Sequence, residues 1–68
     1  MDYFDVMIRI RKDANMTQGQ LAQRLDWSRP QIARYETRIS IPTIKYLIAF
    51  CNEMKVNPDK VLRNELIL

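Results

Sequence analysis

The sequence predicts an all-α protein, a compact bundle of five short helices, on three observations. Two Ser/Thr-x-x-Gln signatures sit eleven residues apart, Thr17 to Gln20 and Ser28 to Gln31. In such a capping box the hydroxyl accepts from the backbone N–H three residues on, and the Gln reaches back to the cap's own N–H. Apolar residues between the turns recur at helical spacing. No low-complexity stretch, long charge run or linker interrupts the pattern.

The first helix is expected over 2–14, with Tyr3, Met7, Ile10 and Ala14 as its buried stripe and Phe4 and Ile8 widening it. Asn15 ends it in a left-handed conformation, which Asn tolerates better than most residues. The second helix spans 18–25, with Leu21, Ala22 and Leu25 apolar, Asp26 as the turn residue and Trp27 folded inward. The third follows over 29–37 with Ile32 and Tyr35 apolar; Pro30 is tolerated because a first-turn residue has no intrahelical partner for its missing N–H.

Residues 38–41 form a loop, and Pro42 or Thr43 starts a fourth helix that runs to Lys55. Its expected inner face is Ile44, Leu47, Ile48, Cys51 and Met54, with Phe50 at the edge. Asn57, Pro58 and Asp59 cap and open a short fifth helix: an Asn cap, Pro at the first helical position, then an acid near the positive end. Val61, Leu62 and Leu66 pack it back.

Sixty-eight residues are expected to form one domain over 1–68, whose core must use nearly all of the hydrophobic sequence. One cysteine excludes an internal disulfide, and the absence of His removes the commonest metal ligand, so helix packing or dimerisation must supply stability. No metal or cofactor is expected. The start, Met1 to Asp5, lacks the charge and apolar run of a signal peptide, and the longest apolar run, Tyr46 to Cys51, is too short to span a bilayer. A cytoplasmic protein without membrane contact is the expectation, and a single reduced thiol agrees with it.

The net charge of +3 becomes informative once located. Between Arg24 and Lys45 stand five basic residues, Arg24, Arg29, Arg34, Arg38 and Lys45, against Asp26 and Glu36; the remaining six basic and six acidic residues cancel. Two capped helices this close make a helix-turn-helix, and the second helix of such a unit is the one that enters a DNA major groove. A basic patch at that element is the electrostatic footprint of phosphate binding; a solvated charged face is the bland alternative.

Residues spread along the chain carry a family resemblance. Arg11, Thr17, Gln18, Leu21, Ala22, Trp27, Ser28, Ile32, Tyr35, Glu36, Pro42, Leu47, Met54, Val56, Val61 and Leu62 fall in register with the phage-repressor and Cro-like (XRE-type) helix-turn-helix domains, which the chain resembles. The resemblance implies a lambda-repressor-like five-helix DNA-binding domain, acting as a homodimer on a palindromic operator. It implies that Arg29, Pro30 and Arg34 meet base edges, and that Gln18 touches a phosphate and braces the first residue of the third helix. It also implies an Arg11–Glu36 salt bridge. Four turn slots where the family often has Gly hold Asn15, Asp26, Arg38 and Lys55 instead, and the one glycine, Gly19, lies inside the second helix. Asn and Asp substitute readily at positive φ, whereas Arg38 and Lys55 either bear backbone strain or adopt another turn.

Arg29 and Arg34 are candidate base readers, since a guanidinium fork matches guanine O6 and N7. Pro30 offers at most apolar contact to a thymine methyl, and Gln31 is divided between base contact and its cap with Ser28. Thr17 and Gln18 sit at a helix N-terminus suited to phosphate, with simple capping as the alternative. Arg38, Ser40 and Lys45 are further phosphate candidates.

The function expected is a sequence-specific regulator that binds double-stranded DNA as a homodimer and represses by occupying an operator. The alternative is a protein-interaction module, antitoxin-like or antirepressor-like, supported by spare apolar surface at Phe4, Ile8, Ile39, Ile41 and the tail from Leu66 to Leu68. An enzyme is disfavoured, because no His, one Cys and scattered acids give no nucleophile–base pair or metal cluster.

Overall fold

The computed structural model describes residues 3–63 as five helices: α1 Tyr3–Asp13, α2 Gln18–Leu25, α3 Arg29–Glu36, α4 Ile44–Met54 and α5 Pro58–Leu62. Expectations placed on Asp2, Leu66 and the tail to Leu68 lie outside the described residues. α2 and α3 are the predicted capped pair. Gln20 N–H donates to Thr17 Oγ1 (3.1 Å) and Thr17 N–H to Gln20 Oε1 (2.8 Å), a complete box. At α3 only half of the box forms, since Gln31 N–H donates to Ser28 Oγ (3.3 Å) while the Gln31 side chain points elsewhere. Thr37 lies just past α3 rather than in it, its hydroxyl donating back to Ala33 O (2.8 Å).

All four glycine-like turn slots are left-handed, with φ of 58° at Asn15, 57° at Asp26, 64° at Arg38 and 57° at Lys55. Lys55 is thus the C-cap of α4, and the fourth helix closes one residue before the expected end. Thr43 caps its start, its hydroxyl accepting from Tyr46 N–H (3.1 Å), and Asn57 caps α5 through Asp59 N–H (2.8 Å).

The core is centred on Val6, Leu21, Ile32, Phe50, Cys51 and Val61, all essentially inaccessible. Two predicted faces are corrected. In α1 the inward residues are Val6, Met7 and Arg11, with Tyr3 and Ile10 half-buried and Ala14 exposed. In α4 the buried residues are Tyr46, Leu47, Phe50 and Cys51, while Ile44 and Ile48 are 75% and 47% exposed. The rotation of α4 has an aromatic cause. Tyr46 packs on Tyr35 (centroids 4.5 Å apart), meets the edge of Trp27 (5.6 Å) and continues to Phe50 (6.2 Å). Rings of this size bury more apolar area than isoleucine does, so they take the inside track.

Trp27 is half-buried as the inward residue of the α2–α3 turn, and its buried indole N–H has no hydrogen-bond partner among the described residues. Burial pushes the Tyr46 phenol and the Cys51 thiol above their ordinary pKa ranges; for Tyr46 the Glu36 carboxylate and Tyr35 add to the rise and Arg11 opposes it. Pro42, treated from sequence as a possible helix start, is buried beside Phe4, Met7, Tyr35 and Tyr46 and seats the loop before α4.

Candidate nucleic-acid interface

The orientation of α3 is set by one carboxylate. Arg11 Nε donates to Glu36 Oε2 (2.7 Å) and Arg11 Nη2 to Oε1 (3.0 Å), a bidentate pair whose side chains are 9% and 13% exposed. The third arm of the guanidinium donates to Met16 O (2.6 Å) at the α1–α2 turn. Gln18 Nε2 donates to Glu36 Oε1 (2.9 Å), so α1 and α2 both converge on the last residue of α3, and Arg11 ties the α1–α2 turn into the same junction. Charge-assisted, bidentate bonds of this kind are short and directional. The resemblance implied a brace from Gln18 to the first residue of α3; the Gln18 amide is instead bonded at the opposite end of that helix.

What α3 turns outward is the residue set proposed from sequence. Arg29, Pro30 and Arg34 are exposed and Gln31 is half-buried. The Arg29 stem lies beside α2, its Cδ 3.8 Å from where a Cβ at Gly19 would stand, an ordinary contact distance that asks for no glycine there. Gln31 Nε2 donates to Tyr35 Oη (2.9 Å), which removes it from the cap. Thr17, Lys45 and Arg38 are exposed, Gln18 and Ser40 half-buried.

The charge pattern is sharper than composition suggested. Arg24 pairs with Glu53 on α4 (3.2 Å), and Arg38 Nη2 donates to Asp5 Oδ1 on α1 (2.6 Å). The Arg38 guanidinium also donates to Glu36 O (2.8 Å) and lies 5.1 Å over the Phe4 ring. Two of the five basic residues of the patch are therefore answered by acids from distant sequence. Arg29, Arg34 and Lys45 have no ion-pair partner among the described residues, so their positive potential faces solvent. An anion that reached Arg38 would compete with Asp5, whereas Lys45 has no such rival among the described residues.

Some of this was within reach of the sequence. Gln31 and Tyr35 are four apart on one helix, a spacing that brings side chains together. Asp5 and Arg38, 33 residues apart, carried no local signal.

Two short capped helices, a left-handed turn at Asp26, and a second helix locked at its far end while its outer side stays open and cationic define a helix-turn-helix unit. A family model described as helix-turn-helix matches residues 7–61. The chain belongs to this family of DNA-binding regulatory domains, in agreement with its Cro- and repressor-like resemblance. No curated protein and no solved structure matches significantly. Among the described residues no helix is long and apolar enough to cross a membrane, and no cluster of His, Cys, Asp or Glu is arranged to hold a metal.

Proposed function

We propose that residues 1–68 form a single domain that binds double-stranded operator DNA sequence-specifically, as a homodimer, and represses transcription. The observation that carries this reading is a set of exposed cations, Arg29, Arg34 and Lys45, without ion-pair partners among the described residues, on and beside a helix whose pose is fixed at its far end through Glu36. With α3 in the major groove, Arg29, Pro30, Gln31 and Arg34 meet bases, and Thr17, Gln18, Arg38, Ser40 and Lys45 meet phosphates. The reading assigns the protein to the cytoplasm and gives it neither cofactor nor catalytic role. The test is selection from random duplex DNA followed by footprinting. A palindromic site whose half-sites lie about 34 Å apart, one DNA turn, is the expected result, and an asymmetric single site rejects the dimer.

The exposed isoleucines support self-association. Ile39, Ile41 and Ile44 are each at least three-quarters exposed and Ile48 about half, and they follow one another from the α3–α4 loop onto the outer side of α4. Apolar surface of this kind marks an interface. It equally favours the second reading, an antitoxin-like or antirepressor-like subunit built to hold another protein. Light scattering on the purified chain separates the two: a dimer disrupted by Ile44→Asp supports the first, a monomer with no DNA selected supports the second.

A further inference from the structure

The Gln31 side chain is held by its own helix, through the hydroxyl of Tyr35 one turn on. Its Nε2 donates to Tyr35 Oη at 2.9 Å, and Tyr35 is in turn fixed, 5% exposed, with its ring packed on Tyr46 at 4.5 Å. Gln31 Oε1 has no hydrogen-bond partner among the described residues, because the reach back to Ser28 that would occupy it is not made. The residue is half-buried and stands on the helix surface three positions before exposed Arg34 and next to exposed Pro30.

We infer that Gln31 is the adenine-reading residue of this surface and that Tyr35 is its positioning residue. A primary amide has two N–H donors and one oxygen. Adenine presents N7 as acceptor and N6–H as donor side by side in the major groove, and a Gln meets them with one N–H and its oxygen. The second N–H is surplus to that contact, and here Tyr35 takes it. Tethered this way, Gln31 keeps one donor and one acceptor for the base, and most of the rotamer freedom such a contact would remove is already lost in folding. An amide engaged in the capping box could not do this, since its oxygen would be bound to Ser28 N–H. The positive neighbours Arg29 and Arg34 bring the phosphate-lined groove to this edge and suit guanine, so the tethered amide supplies a different letter from theirs.

This inference rests on the DNA-binding reading, and one experiment separates their failures. Random duplex DNA is selected with the full chain and with its Gln31→Ala and Tyr35→Phe variants, and thermal unfolding is recorded for all three. With the unaltered chain, one position in each half-site is expected to be adenine. Gln31→Ala should lower the preference for adenine there by about 5- to 150-fold and leave the other positions as they were. Tyr35→Phe keeps the ring and its packing, and should lower the same preference by about 2- to 10-fold without flattening the rest of the site. A Tyr35 that merely supports the fold would instead weaken binding to every sequence in the same ratio, and that result overturns its positioning role. A selected site unmoved by Gln31→Ala, or one whose Gln31-dependent base is not adenine, overturns the inference while DNA binding stands. No sequence selected by the unaltered chain overturns both.

Discussion

Arg11 and Glu36 meet as a bidentate, largely buried ion pair that joins the end of α1 to the end of α3. Removing one partner strands the other charge. Arg11→Met or Glu36→Leu alone should therefore destabilise the domain by about 3 to 5 kcal/mol in urea unfolding, and the double variant should recover part of that loss. Single changes that cost no more than an exposed pair would show that the two charges act separately.

Arg29 and Arg34 are exposed and have no ion-pair partner among the described residues, so replacing them should spare the fold and alter the reading. Arg29→Ala should cost about 1 to 3 kcal/mol of discrimination at one base position in a binding titration, with an unchanged melting temperature. Unaltered affinity and base preference would reject α3 as the reading helix.

Salt should act steeply. If four phosphates per subunit are neutralised, log affinity of a dimer falls against log salt with a slope of about −7. Lys45→Ala should reduce that slope by about 1 per subunit, and Arg38→Ala by less, because Arg38 leaves Asp5 to reach the backbone. Equal effects would count against the competition between Asp5 and phosphate.

The left-handed turns divide into two kinds. Lys55 is exposed with φ of 57°, and Lys55→Gly should stabilise the domain by about 1 kcal/mol by relieving the Cβ clash. Arg38 has the same backbone but also holds Asp5 and covers Phe4, so Arg38→Gly should show no such gain. Urea midpoints of the two variants decide the matter.

Alkaline pH should weaken the fold through Tyr46. Its folded pKa is raised, mainly by burial, so above the ordinary tyrosine value of 10.0 the unfolded chain releases a proton that the folded one retains. The contribution of Tyr46 is fully present below about pH 10 and declines as pH rises beyond it. Tyr46→Phe should flatten the melting temperature between pH 10 and 11 relative to the unaltered chain.

Helix positions and caps were legible in the sequence because they rest on local chemistry: Thr17, Ser28, Thr43 and Asn57 each satisfy a nearby N–H, wherever the rest of the chain goes. Which side of a helix faces inward was less legible. In α4, Ile44 and Ile48 share a period with Leu47 and Cys51, but so do Tyr46 and Phe50, and only the Tyr35 and Trp27 rings waiting across the gap decide between them. Val6 was missed in the same way, as one apolar residue among several at permissible phases. The candidate reading residues could be named, since the spacing of two caps locates them. Their state could not: that Arg38 is engaged depends on Asp5, 33 positions away.

The Glu36 junction has an evolutionary consequence. Because Arg11 and Gln18 hold α3 from its far end, Arg29, Pro30 and Arg34 contribute little to keeping the helix in place. On the proposed reading, substitutions among them would redirect the protein to a new operator without reopening the question of whether it folds. Gln31 is the exception, since any change there also releases a tyrosine hydroxyl.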